Sequence, residues 1–329
     1  MALECNISVT IGKVRFKSVH SLRVSSRSGD LADLCAVSLP LLQFDRPYGI
    51  ESSIAIDDEV KVEAWYSGRP AAVEFSGWVR RINPNMPLVI EAENTPPQLR
   101  QAGGMFARKW SSKVSLRTVI DAVLEGTGIE ASFDQAPEFS FEKFRCNGTR
   151  ANILMAMGRE YGLFLRYQGG KIVVGIRFMK IAGEVTYNLA TNVHETALRY
   201  KKERERVLAV NAVGFTKNGA KFSATVGDKN GEVRTKFYYN IAGEADLKAL
   251  ATAELKKLSY DGYEGSITGW LLPRCSVGQT VKLLDPIYLD RAAAYYLENT
   301  ELSYSVTTGF ERRVDLGLLL SSIPNPGRL

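Results

Sequence analysis

The sequence predicts a mainly β chain of the α+β class: two small β-barrels flank a compact α+β domain, and a hairpin and helix interrupt the second barrel. Three observations carry that expectation. Apolar and polar residues alternate with period two toward both ends of the chain, helical periodicity is confined to the middle and to one late segment, and the two alternating regions resemble each other. At 329 residues with 45% hydrophobic and 24% charged residues, the chain has room for two to four packed domains.

Residues 1–98 form the first β region. "NISVTIGKVRFKSVHSLRVSS" alternates as a half-buried strand does, and "LCAVSLP" places Cys35, Val37 and Leu39 on one face with Pro40 as a stop. "EVKVEAW" turns Val60, Val62 and Ala64 inward, Ser67-Gly68-Arg69-Pro70 makes a turn, a return strand reaches Gly77, and "PLVIEAEN" follows. Short strands at regular spacing suggest a small barrel or sandwich.

Pro96, Pro97, Gly103 and Gly104 mark a boundary. Residues 105–180 then change period. Ser115 is an N-cap for a helix with Leu116, Val119, Ile120, Val123 and Leu124 on one side and Gly126 at its C-terminal end. A second helix groups Ala151, Leu154, Met155 and Gly158 and stops at Gly162. "LFLRYQGGKIVVGIRF" reads as a hairpin through Gly169-Gly170, with Leu163, Leu165 and Tyr167 facing Ile172, Val174 and Ile176.

The second β region occupies 184–215 and 259–320. Between its parts, 216–258 begins with a polar segment carrying two Asn-Gly turns, read as an exposed hairpin. It continues as a helix with Leu247, Leu250, Ala251, Leu255 and Leu258 along one stripe. The tail "SSIPNPGRL" reads as loose. The order "IAIDDEVKVEAW … VEFSGWVRRI … PLVIEAE" recurs as "RCSVGQTVKLLD … AAYYLENTELSYS … ERRVDLGL", with Asp57 to Val60 matching Val277 to Val281. This is a remote internal duplication, expected to give both β regions one topology.

Catalytic and cofactor chemistry finds little support. Cys5, Cys35, Cys146 and Cys275 are far apart and only His20 and His194 accompany them, so neither a zinc cage nor a disulfide scaffold is expected. No phosphate-binding glycine loop and no paired-histidine zinc motif occurs. Asp57, Asp58 and Glu59 read as a solvated turn, and the run Arg199 to Val207 as a solvated strand with its charges alternating. Trp65, Tyr66, Tyr238, Tyr239, Tyr295 and Tyr296 read as core or interface aromatics, and Met155 with Met157 as helix packing. Catalytic, cofactor and metal sites are all expected to be none. The formal charge of +6 is mild and does not demand nucleic acid. The N-terminus lacks a secretory pattern, and no apolar run nears the ~20 residues of a membrane helix. The expectation is folding in a reducing cytoplasm.

Taken in order, "LCAVSLP", "EVKVEAW … FSGWVRRI", "SLRTVIDAVLEGTG", "NILMAMGREYGLFLRY … GGKIVVGIR" and "GSITGWLLPRCSVGQTVKLLD … YYLENTELSYSVTTGFERRVDLGL" resemble phage tail baseplate hub proteins. That family includes the late control protein D group and the hub portion of type VI secretion spike proteins. The resemblance implies a non-enzymatic homotrimeric ring, with two tail-tube-like barrels per chain, that adapts a sixfold tail tube to a threefold central spike. Implied partners are a second and third copy of the chain, the tail tube protein, the central spike protein and other baseplate proteins. DNA passes only in transit and nothing inserts in a membrane. The implied location is the virion tail baseplate, assembled in the bacterial cytoplasm. The polar segment from Asn218 to Gly231 has no counterpart in that pattern. Two other readings come from the residues: a carbohydrate- or peptidoglycan-binding module, from the aromatics, and an oligonucleotide-binding β-barrel, from the charge and small barrels.

Overall fold

The structure is a computed structural model that describes residues 4–39, 42–43, 46–47, 53–84, 87–100, 105–176, 183–202, 208–228, 230–259 and 261–322. The Pro40 stop, Gly103-Gly104, residues 203–207 of the charged run and most of the tail lie outside them.

The first β module comprises β1 (Cys5–Ile11), β2 (Val14–Phe16), β3 (Ser21–Arg27), β4 (Leu34–Leu39), the short pair β5 (Leu42–Gln43) and β6 (Arg46–Pro47), β7 (Glu59–Tyr66), β8 (Ala72–Asn83) and β9 (Leu88–Glu93). The long alternating N-terminal segment is therefore three strands, broken at Gly12, whose φ of 53° suits glycine. Alternation puts Val9, Val24, Val37, Val60, Val62, Val79 and Ile90 on one face, where they form a single core.

The middle domain follows: α1 (Pro97–Arg100), β10 (Met105–Trp110), β11 (Val114–Ser115), α2 (Leu116–Leu124), β12 (Glu130–Gln135), β13 (Ser140–Phe141), β14 (Phe144–Thr149), α3 (Arg150–Tyr161), β15 (Leu163–Gln168) and β16 (Lys171–Ile176). Ser115 caps α2 by accepting from the Thr118 amide, and α3 ends in Gly162 at φ 59°. The β15–β16 hairpin pairs Leu163, Leu165 and Tyr167 with Ile176, Val174 and Ile172, as expected.

The rest of the chain holds β17 (Glu184–Asn188), β18 (Val193–Lys201), β19 (Leu208–Phe215), β20 (Lys221–Gly227), β21 (Glu232–Tyr239), α4 (Glu244–Leu258), β22 (Gly262–Gly269), β23 (Thr280–Leu284), β24 (Ala293–Ser305) and β25 (Gly309–Ser322). Two sequence expectations change here. Leu208–Phe215 leaves the second β region and becomes the centre of a separate sheet, ordered β20-β19-β21. The 216–258 segment is therefore not a hairpin on its own, because β20 and β21 pair with β19 and not with each other. The reason is burial on both faces. Leu247, Ala251 and Leu258 of α4 join Leu208, Val210 and Ala212 in one cluster. On the other side, Phe215 stacks with Phe139 and Tyr239 of an aromatic cluster shared with the middle domain. A strand covered on both sides is near-continuously apolar, as "LAVNAVGF" is.

β17, β18 and β22 to β25 make the second β module, around Tyr187, Ile267, Val281, Leu283, Tyr295, Leu297 and Val314. The two modules share one 13-stranded sheet. Among the described residues neither module closes into a barrel: β3 gives its outer edge to β24 of the other module, and β18 does not pair with β17.

Within that sheet the first module runs β3-β4-β9-β8-β7-β1 and the second β18-β22-β25-β24-β23-β17. With the short strands β2, β5 and β6 left out and the rest numbered by chain order within each module, both read 2-3-6-5-4-1. One pairing differs: β1 is antiparallel to β7, whereas β17 is parallel to β23. The likeness extends to single hydrogen bonds. The Asp57 amide donates to Val79 O and the Val79 amide to Asp58 O; the Gly278 amide donates to Leu297 O and the Leu297 amide to Gln279 O. In each module a side chain closes the same turn, Asp58 accepting from the Ala55 amide and Gln279 from the Ser276 amide. Asp57 and Gly278 both have positive φ, 70° and 90°, as the third position of a type II turn requires. Beyond the turn both long strands bulge at the matching place, between Val79 and Arg81 and between Leu297 and Asn299, and β24 has further register shifts from Ala294 to Leu297.

A side chain at Gly278 would be forced into a left-handed backbone that disfavours it. Gly278→Ala should therefore lose about 1–2 kcal/mol of stability, measured as a lower urea midpoint at unchanged slope.

Candidate functional site

The structure places Arg312, the most buried charged residue among those described, where the two modules meet. The first element of this junction is the ladder between β3 and β24, running in register from Ser21↔Ser305 to Arg27↔Asn299. The second is the segment between β22 and β23, which lies across the end of the β7–β8 hairpin. Leu271 from that segment sits in the first module's core, its amide donating to Tyr66 Oη at 3.1 Å. Phe310 meets the Tyr66 ring edge-on at 6.3 Å.

Glu74 holds this contact from the first module. In β8, Phe75 pairs with Val62 and Val73 with Glu63, leaving Glu74 as the extra residue of a bulge. A bulge re-aims its side chain, and here the carboxylate turns toward the other module. Its two oxygens each take a 2.7 Å bond, one from Arg274 Nε and one from Arg312 Nη2. Arg274 also donates to Ala64 O at 3.0 Å and Arg312 to Leu271 O at 3.2 Å. The Glu74 and Arg312 side chains are only 6% and 4% exposed. Burial works against the Arg312 charge, but the facing Glu74 carboxylate outweighs it, and the guanidinium pKa stays above its ordinary value.

The middle domain is tied to the same junction. Arg166 of β15 is buried, donating to Arg27 O at 3.0 Å and pairing with Asp33. Asp33 and Asn94 exchange two further bonds, and the Tyr167 amide donates to Leu31 O at 3.0 Å. A polar cavity of about 450 Å³ lies between Glu74, Arg166, Arg274, Arg312 and the Gly169-Gly170 turn. Its charged groups already pair with one another, which leaves it a joint between three parts of the chain.

The residues singled out in the sequence are scattered. His20 is exposed near β3, and the His194 ring lies 4.4 Å from that of Trp270, tilted by 39°. Asp57 is held in its turn by Arg100 at 2.8 Å. Tyr66, Tyr295 and Tyr296 are buried, and Tyr238 and Tyr239 pack at cluster margins. None of the four cysteines is in a disulfide, and burial pushes the Cys35 thiol up. Among the described residues no group of three potential metal ligands comes together, and no helix is long and apolar enough to cross a membrane. Glu74, Arg166, Arg274 and Arg312 were not singled out. Arg312 did leave a signal, because it shares the inward phase of Phe310, Val314 and Leu316.

The junction has an open counterpart. The second module's equivalent of β3 is β18, and among the described residues β18 has a partner only on its β22 side. The equivalent of the outer half of β24 is the end of β8, where Arg81, Ile82 and Asn83 pair only with β9. Each module thus keeps one edge of the kind that the other has already used.

No protein-family model matches this chain, and no curated protein matches it in sequence. Solved structures do. A 43 kDa tail protein of prophage MuSo2 from Shewanella oneidensis aligns over 95% of this chain and 98% of its own, at TM-score 0.56 and 16% identity. A tail protein from Neisseria meningitidis aligns over 95% and 96%, at TM-score 0.57 and 12% identity. A type VI secretion component from Escherichia coli, itself similar to the T4 bacteriophage tail proteins gp27 and gp5, aligns over 93% and 75%, at TM-score 0.54 and 10% identity. The chain therefore has the fold shared by prophage tail proteins and type VI spike components.

Replacing Glu74 by Gln leaves Arg312 buried without its counter-charge and should cost about 3–5 kcal/mol. Breaking the exposed Arg23–Glu301 pair by Arg23→Ala should cost no more than about 1 kcal/mol. Denaturant unfolding of the two variants checks the contrast.

Proposed function

We propose that this protein is a structural baseplate hub of a contractile phage tail or related injection machine. In this reading it is a homotrimeric ring that adapts a sixfold tail tube to a threefold central spike. One observation carries the proposal: two modules of one strand order joined edge to edge, with the two counterpart edges left open. Unpaired strand edges are normally covered. If the β18 edge of one chain meets the end of β8 in the next, the contact inside the chain is repeated between chains. A head-to-tail contact of this kind closes only through rotation, and three chains bring six like modules into a ring that remains threefold overall.

The fold likeness to tail proteins supports the placement in a virion tail, and the internally paired charges of the junction support a structural role. The partners in this reading are further copies of the chain, the tail tube protein, the central spike protein and neighbouring baseplate proteins. DNA only passes through the channel. The burial of Tyr66, Tyr295 and Tyr296 weighs against the stacking platforms that carbohydrate or oligonucleotide binding would need.

Light scattering on the purified chain should return about 109 kDa, three times the 36.4 kDa chain mass. Electron micrographs should show rings with six lobes, and each chain-to-chain contact should bury at least ~2,000 Å². Monomers at every concentration, with no threefold particles, would overturn the proposal.

A further inference from the structure

We infer that the turn between β23 and β24, from Pro286 to Arg291, is the docking surface for the first β module of a second copy of this chain. This rests on the ring reading above and extends it to particular residues. Val60 and Val281 hold matching positions after the duplicated turn; counted on from them, Tyr66 is the last residue of β7 and Ile287 lies three residues past the end of β23. The two places differ in what covers them. Tyr66 is 6% exposed, covered by Leu271 and Phe310 of the module that follows it in the chain. In the second module Ile287 is 79%, Tyr288 48% and Leu289 42% exposed. Three adjacent apolar side chains turned outward mark an interaction surface.

The turn is built to hold that shape. Asp285 is buried, and one of its carboxylate oxygens accepts from the Ile287 and Tyr288 amides at 2.9 Å each. The Tyr263 hydroxyl donates to the other. Burial alone would raise the Asp285 pKa, yet these bonds and Arg291 hold it below the ordinary carboxylate range. The apolar residues are thus ordered before any partner arrives, which lowers the entropy cost of docking.

The turn is also continuous with the open edge of β18. The Arg291 guanidinium lies 3.8 Å from the Tyr288 ring and 4.4 Å from the Tyr200 ring of that strand. Strand edge and apolar turn therefore form one surface, as β3 and the Tyr66 end do in the first module. The counterpart of Glu74 here is Ala292, and the counterpart of Arg312 in the first module is Leu88, by the matched registers of the long strands. Both of these residues are buried in their own modules, so the matching contact carries no ion pair like that of Glu74. The first module carries the other open edge, which among the described residues lies at Arg81–Asn83.

Sedimentation velocity on the full chain tests this. Ile287→Asp should weaken assembly by about 30-fold or more, with circular dichroism and melting unchanged because the side chain is exposed. Leu250→Asp, at an exposed position on α4, should assemble as the wild type does. Assembly of Ile287→Asp at wild-type concentrations would overturn the docking surface and leave the ring intact. Wild-type protein that stays monomeric throughout would overturn both. Should Ile287→Asp fail to fold, Ile287→Cys in a Cys5→Ser background gives the answer by thiol labelling. Labelling should be slow in the assembled protein and fast after dilution, and equal rates in both states would overturn the inference.

Discussion

Glu74 sits between Arg274 and Arg312 in a place nearly closed to water, and the arrangement of the chain depends on that contact. A buried carboxylate has no tolerable alternative to full pairing, since the cost of removing it from water is several kcal/mol. Satisfying it requires the bulge in β8, the path of 270–275 across the first module, and the inward phase of β25. Each is set by a different part of the sequence, so the charges work as a register device for the two modules. Leu271 and Tyr66 supply the apolar closure around it.

The duplicated turn shows what two modules must share, and the junction shows where they must differ. The Asp57 and Gly278 turns make the same backbone and side-chain bonds, each to a long bulged strand. At the interface the copies diverge: Glu74 and Arg312 face each other within the chain, while their counterparts are Ala292 and Leu88. Glu74 finds its cations within the chain, and neither Ala292 nor Leu88, both buried in their own modules, can supply one. In the proposed ring this separates the contact within a chain from the contact between chains, and specificity of this sort comes from penalising the wrong partner.

The remaining parts fix this pair of modules in place. Arg166 and Tyr167 anchor the middle domain to β3 and to the β3–β4 connection. The Phe139, Phe215 and Tyr239 stack ties the β19–β21 sheet to the middle domain. The same sheet also reaches the second module, through Arg234 on Glu264 and through Leu318 in the α4 cluster.

Local order was legible in the sequence because it follows from periodicity and backbone chemistry that neighbours in the chain determine. The Ser115 cap, the Gly162 stop, the Gly169-Gly170 hairpin with its register, and the match of Asp57–Val60 to Val277–Val281 all belong there. The candidate site was legible only in part. Arg312 betrayed itself as a charge on an inward phase, but Glu74 looked outward beside the inward Phe75, and the phase shift of its bulge falls so near the start of β8 that too few residues precede it to reveal it. Leu208–Phe215 was assigned to the wrong sheet for a related reason: its apolar run says that it is covered on both faces and not by what. Tertiary structure alone decided that β3 pairs with β24 instead of closing its own module. Strand edges carry the same N–H and C=O groups everywhere, so which edges meet depends on side chains brought together from distant parts of the chain.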